Sequence, residues 1–147
     1  MGLNAAVYKQ LRELPFTKEE LHNITVDQTT GEIDFEDAGL FKAWRDKVRA
    51  VEKRIGNITL VHQLRTELQK VLGDSASETI LLSRVLYDGT HGGDMISLGR
   101  LLQLKDEIVL TRGIAGQDIS PELSRFLTDM EELILASERH KNPIVFV

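Results

Sequence analysis

Residues 38–55 read "AGLFKAWRDKVRAVEKRI", and the way they fold decides what the rest of the chain is built around. Phe41, Trp44, Val48, Val51 and Ile55 recur at alternating steps of three and four, the spacing that places side chains on one face of an α-helix. The stretch is predicted as one amphipathic helix ended by Gly56. Asn57 is placed to cap a second helix, "ITLVHQLRTELQKVLG", with Val61, Leu64, Leu68 and Val71 inward and Gly73 as its C-terminal stop. Two helices joined this closely predict an antiparallel pair.

Strand signals lie on either side. Residues 3–8, "LNAAVY", read as a short strand. Thr17 and Glu20 have the spacing of a capping box, which predicts a helical turn in "PFTKEELHN". In "NITVDQTTGEIDFED", Ile24 and Val26 alternate with polar residues, as do Ile33 and Phe35, and Gly31 can take the left-handed conformation of the turn between them. Residues 79–87, "TILLSRVLY", are apolar and β-branched with a polar break at Ser83–Arg84, and are read as a central strand, with a helix as the competing assignment. Ser97 is assigned as the cap of a helix running to about Arg112. Ser120 caps the last helix with Pro121 in its first turn, and Leu123, Phe126, Leu127, Met130, Leu133 and Ile134 form its apolar stripe. After Asn142–Pro143, Ile144–Val147 is predicted as a strand docked beside the N-terminal one.

The fold class that follows is α+β. A small, mostly antiparallel sheet takes the N-terminal strand, the hairpin 24–36, strand 79–87 and a C-terminal strand 144–147, covered by about four main helices. Residues 1–147 are read as a single domain.

Composition narrows the function classes. The chain has 147 residues, 41% hydrophobic and 28% charged, which suits a globular domain able to bury a core without staples. It has no cysteine, which removes disulfides, thiolate nucleophiles and cysteine metal sites. No apolar run reaches the length of a membrane span, and no signal peptide is visible; the expected location is the cytoplasm. A net charge of −5 argues against nucleic acid as a partner, because such binding rests on basic surface. The nucleotide-binding glycine loops, H-E-x-x-H and G-x-S-x-G are all absent, and no cofactor is called for.

Chemistry concentrates in "DGTHGGD", residues 88–94. Asp88, His91 and Asp94 are the candidate catalytic or metal-binding residues: two carboxylates and an imidazole suit zinc or manganese, and also acid–base work. Tyr87, Thr90, Gly92 and Gly93 are candidate ligand contacts. The calcium-loop pattern fails, because its third, fifth and twelfth positions fall on Thr90, Gly92 and Gly99. The alternative is a structural turn in which Asp and Thr side chains bond local amides.

Charge is uneven. Residues 42–54 carry six basic side chains against two acids, and residues 118–138 carry six acids against one arginine. On a helix, Lys42, Arg45, Arg49 and Lys53 share one face, a candidate partner-binding surface complementary to an acidic one.

Short, acidic, cysteine-free and without an enzyme signature, the chain is similar in type to small bacterial interaction proteins of the regulatory or toxin-neutralising kind. That likeness has no matched motif behind it and transfers no residues. The expectation is a non-enzymatic protein that binds a protein partner, or itself, through charged helix faces and the 88–94 loop. The competing reading is a small metal- or ligand-dependent, hydrolase-like enzyme centred on that loop.

Overall fold

In the computed structural model, which describes residues 2–147, β1 (Gly2–Tyr8) is the strand on which the sheet is assembled. One edge pairs antiparallel with β4 (Arg49–Asn57), from Gly2 opposite Asn57 to Tyr8 opposite Arg49, with irregularities after Leu3 and Val7. The other edge pairs antiparallel with β6 (Ile144–Phe146), Ala5 opposite Phe146 and Ala6 opposite Val145. Beyond it lies β5 (Met95–Ile96), with Met95 opposite Val145. The strand order is β4-β1-β6-β5. The α+β class and the C-terminal strand docked against the N-terminal one are as the sequence predicts.

The predicted helix 38–55 is overturned. Asp37 caps a short helix, α2 (Ala38–Trp44), by accepting the Leu40 amide at 3.0 Å. The chain turns through residues 45–48 and leaves as β4. Val51 and Ile55 satisfy both periods: they sit a helical step apart, and they also fall two by two with Lys53 on one face of a strand. The open edge of β1 decides between them, since pairing satisfies backbone groups along its length. Gly56, at φ +157, lies inside β4, and Leu60 crowds the position its side chain would occupy. The predicted helix pair is therefore a strand followed directly by a helix, α3 (Ile58–Leu72), capped by Asn57 Oδ1 on the Leu60 amide at 2.8 Å. Val61, Leu64 and Leu68 are buried as predicted; Leu72 is buried beside them, and Val71 only partly.

The predicted strand 79–87 is also overturned. Residues 81–85 form a wide helical turn, closed by the Leu86 amide on the Leu81 carbonyl at 2.9 Å. Leu81, Leu82, Val85 and Leu86 are buried, and the polar break Ser83–Arg84 is its exposed face. The turn's first amides, Ile80 and Leu81, are held at 2.9 and 3.0 Å by the two oxygens of the buried Glu107 carboxylate. That long-range cap removes the backbone's need for a strand neighbour. The sheet position goes instead to Met95–Ile96.

Three long helices close the core: α3, α4 (Leu101–Ala115) and α5 (Pro121–His140). α3 and α5 pack on the sheet, and α4 packs against both. α5 is as predicted, with Ser120 Oγ accepting the Leu123 amide at 3.0 Å and all six stripe residues buried. Its start is also tied to α3, where Glu67 accepts the Ser120 amide at 3.0 Å and the Ser120 hydroxyl. Ser97 makes no side-chain cap; a 3₁₀ turn over Leu98–Arg100 leads into α4 instead.

A second, smaller cluster sits under the hairpin of β2 (Ile24–Val26) and β3 (Ile33–Phe35), which form their own two-stranded sheet. Tyr8, Ile33 and Val48 are buried there against Phe16, Phe35 and Trp44. The capping box closes α1 (Lys18–Leu21) as predicted. Gly31, at φ +77, has no room for a side chain, because Asn142 occupies that space, and Asn142 in turn donates to the Tyr8 carbonyl at 2.7 Å. No helix among the described residues is long and apolar enough to cross a membrane.

Candidate functional site

The 88–94 loop hangs between the wide helical turn and β5, and it is closed by backbone. The Gly93 amide donates to the Phe146 carbonyl at 2.7 Å, and the Phe146 amide to the Asp94 carbonyl at 2.8 Å. Gly89 passes so close to α3 that a Cβ there would lie 2.9 Å from Ile58 Cα.

The predicted trio does not converge. Asp88 Oδ1 accepts the Thr90 amide at 3.0 Å and the Thr90 hydroxyl at 3.2 Å, a local turn of the kind Asp and Thr make in loops. Two members of the trio, His91 and Asp94, do meet, and the third side chain with them is Tyr87. Tyr87 donates its hydroxyl to Asp94 Oδ2, and its ring stacks on His91 with centroids 4.5 Å apart. Phe146 also packs against the imidazole, tilted to it, with ring centroids 4.7 Å apart. His91 Nε2 lies 2.8 Å from the Val85 carbonyl; a carbonyl only accepts, so Nε2 carries the proton. Nδ1 lies 3.1 Å from Asp94 Oδ2. That is an ion-pair distance, but the alignment is poor and Nδ1 has no hydrogen-bond partner. The His91 side chain is only 6% exposed and Asp94 40%, so the imidazole is a packed wedge with a carboxylate at its rim. The hydrogen bond to Asp94, reinforced by burial, pushes the Tyr87 phenol up to about 12, because ionising it would set two anions against each other. Thr90 is engaged with Asp88, a Cβ at Gly92 would only reach van der Waals contact with the Phe146 carbonyl oxygen, and Gly93 contributes its amide to β6. Among the described residues, no cluster of three or more His, Cys, Asp or Glu side chains is arranged to hold a metal ion.

The predicted basic face is dismantled by the strand. Lys42 lies on α2, with Arg45 at its end, while Arg49 and Lys53 lie on β4. Arg49 pairs with Glu52 at 2.8 Å and lies 5.7 Å from the centre of the Tyr8 ring. Lys53 reaches α5, where it pairs with Glu132 and lies 3.7 Å from Asp129; the bond to Glu132 raises its pKa above the ordinary lysine value. The basic and acidic stretches are complementary, as their charges suggested, but here they meet within one chain.

What sequence reading passed over is α4. Its inner face, Leu101, Leu104, Ile108 and Thr111, is buried. Its outer side is also apolar: Leu102 and Val109 are each 71% exposed, and Leu110 and Ile114 are more than half exposed. Leu135 of α5, 66% exposed, stands beside Val109. Together with Ile108 and Ile134 they line a groove of about 280 Å³ between α4 and α5. Two ion pairs cross it, Lys105–Glu138 and Arg112–Glu131, each at 2.5 Å. The signal was available: in "LGRLLQLKDEIVLTRGIA" leucine, isoleucine and valine fall all round the helix, and a helix apolar on every side has two faces to cover. Here the protein covers one.

No protein-family model, curated protein or solved structure matches this chain.

Proposed function

We propose that this chain is a non-enzymatic interaction protein of the cytoplasm, of the regulatory or toxin-neutralising kind, which docks a protein partner on its α4/α5 face. One observation carries the reading: Val109 of α4 and Leu135 of α5 stand in solvent along an apolar groove, and Leu102 is exposed on the same helix as Val109, whose opposite face already belongs to the core. Contiguous exposed apolar surface with a polar rim favours protein contact. The hydrolase-like alternative needs Asp88, His91 and Asp94 to act on one ligand, and Asp88 is turned instead to Thr90.

The test is capture from the native cell with an N-terminal tag, since a C-terminal tag sits next to β6. The wild type is expected to retain a protein that the Val109→Asp/Leu135→Asp variant does not, with the two circular dichroism spectra alike. Equal retention by a folded variant removes the reading.

A further inference from the structure

We infer that the occupant of the α4/α5 groove is a second copy of this chain, related by a two-fold axis running parallel to the two helices. The inference rests on that groove being a docking surface, and adds who docks.

The layout of charge selects the occupant. Lys105 and Arg112 lie seven residues apart on α4, and Glu131 and Glu138 lie seven apart on α5. The pairing of Lys105 with Glu138 and Arg112 with Glu131 shows that the helices run antiparallel. The α4 side of this face thus carries a column of two cations and the α5 side a column of two anions, with Lys105, Glu131, Val109 and Leu135 lining the groove itself. All four charged side chains remain between one third and one half exposed. Lysine and arginine have donors to spare beyond a single bond, and each carboxylate has further lone pairs.

A two-fold axis perpendicular to the helices would set Lys105 of one copy against Arg112 of the other, and Glu131 against Glu138. Both contacts are repulsive. An axis parallel to the helices lays the cation column of each copy over the anion column of the other. Val109 then meets Leu135 of the second copy, twice over. Each α4 gains a second antiparallel α5 neighbour, the arrangement of a four-helix bundle. Only this second arrangement is self-complementary in both charge and apolar contact, which is what an isologous interface demands.

The area is adequate. Leu102, Val109 and Leu135 together offer on the order of 350 Å² of apolar surface per copy, in the range of the largest patch on an ordinary monomer. The four charged side chains, each between one third and one half exposed, extend the face beyond that patch.

Sedimentation equilibrium on the full chain tests it. The wild type is expected to be dimeric. Lys105→Glu/Arg112→Glu, with acids on both sides, and Glu131→Lys/Glu138→Lys, with bases on both, are each expected to dimerise at least about 100-fold more weakly, since like charges facing across an interface are costly. An equimolar mixture of the two is expected to restore a dimer. If a single-column variant loses its fold, reversing all four residues keeps every internal pair and is expected to dimerise like the wild type. A wild type that stays monomeric, column variants that dimerise unchanged, or a folded mixture or four-residue variant that stays monomeric would each overturn the inference. A monomeric wild type leaves the docking reading standing, because that falls only if the Val109→Asp/Leu135→Asp variant retains its partner.

Discussion

The 88–94 loop and the α4/α5 face are opposites in one molecule. The loop is dense in groups that bind ligands, yet nearly every one already has a partner within the chain. Asp88 holds Thr90, Tyr87 holds Asp94, and His91 is packed against two rings. The helix face has little chemistry of its own, but its apolar side chains have nothing over them. Docking capacity follows what is left unsatisfied more closely than it follows the reactivity of the residues present. Buried polar groups that already have partners hold a structure in place, while exposed apolar surface still stands to gain from contact.

The comparison is tested most strongly on the two sides of α4. Leu104→Ala, on the inner side, is expected to cost about 2–5 kcal/mol in chemical denaturation, as deletions from packed cores do. Leu102→Ala, on the outer side, is expected to stay within about 0.5 kcal/mol at concentrations where the chain is monomeric. Equal losses at the two positions would mean that the outer side is already covered.

A smaller loss is expected in the loop. Gly89→Ala forces a methyl group against Ile58 Cα at 2.9 Å, and overpacking against backbone costs about 1–3 kcal/mol. The same measurement reads it. A neutral result would mean that the loop is free to move away from α3, and the contrast with the helix face would weaken.

The smallest effect is on one proton. Of the two tyrosines, Tyr8 is raised chiefly by burial and Tyr87 by its bond to Asp94. In Asp94→Asn, ultraviolet titration is expected to bring Tyr87 down from about 12 towards its ordinary value of about 10, with Tyr8 unmoved. A phenol raised in the folded state supports the fold at pH below its unfolded value. That support fades as pH climbs from about 10 to about 12, so the wild type should lose stability over this alkaline window more steeply than the variant. An unchanged titration would show that Tyr87 and Asp94 are not bonded.

Where the fold was legible, local signals and tertiary demand agreed. α5 carries its own cap, its own first-turn proline and a single apolar stripe, and nothing elsewhere contests them. In 49–55 they disagreed: Val51 and Ile55 fit a helix as well as a strand, and only the free edge of β1, more than forty residues earlier, chooses. In 80–86 the deciding group is Glu107, 27 and 26 residues away from the amides it accepts, which no local window contains. The site followed the same pattern. Asp88 with Thr90 was readable as a turn from neighbours in sequence. The grouping of Tyr87 with His91 and Asp94 needed Phe146, from the far end of the chain, to set the imidazole in place.

The position of β6 has a consequence in time. It lies inside the sheet, between β1 and β5, although α3, α4 and α5 are all made between β1 and it. Until residues 144–146 emerge from the ribosome, Ala5 and Ala6 have one neighbour strand instead of two, and an open edge is a template for the wrong partner. Pairing across so long a separation is also slow to form. Nascent chains therefore carry an unfinished sheet until residues 144–146 are made, and those three residues join β1 to β5 in a single step.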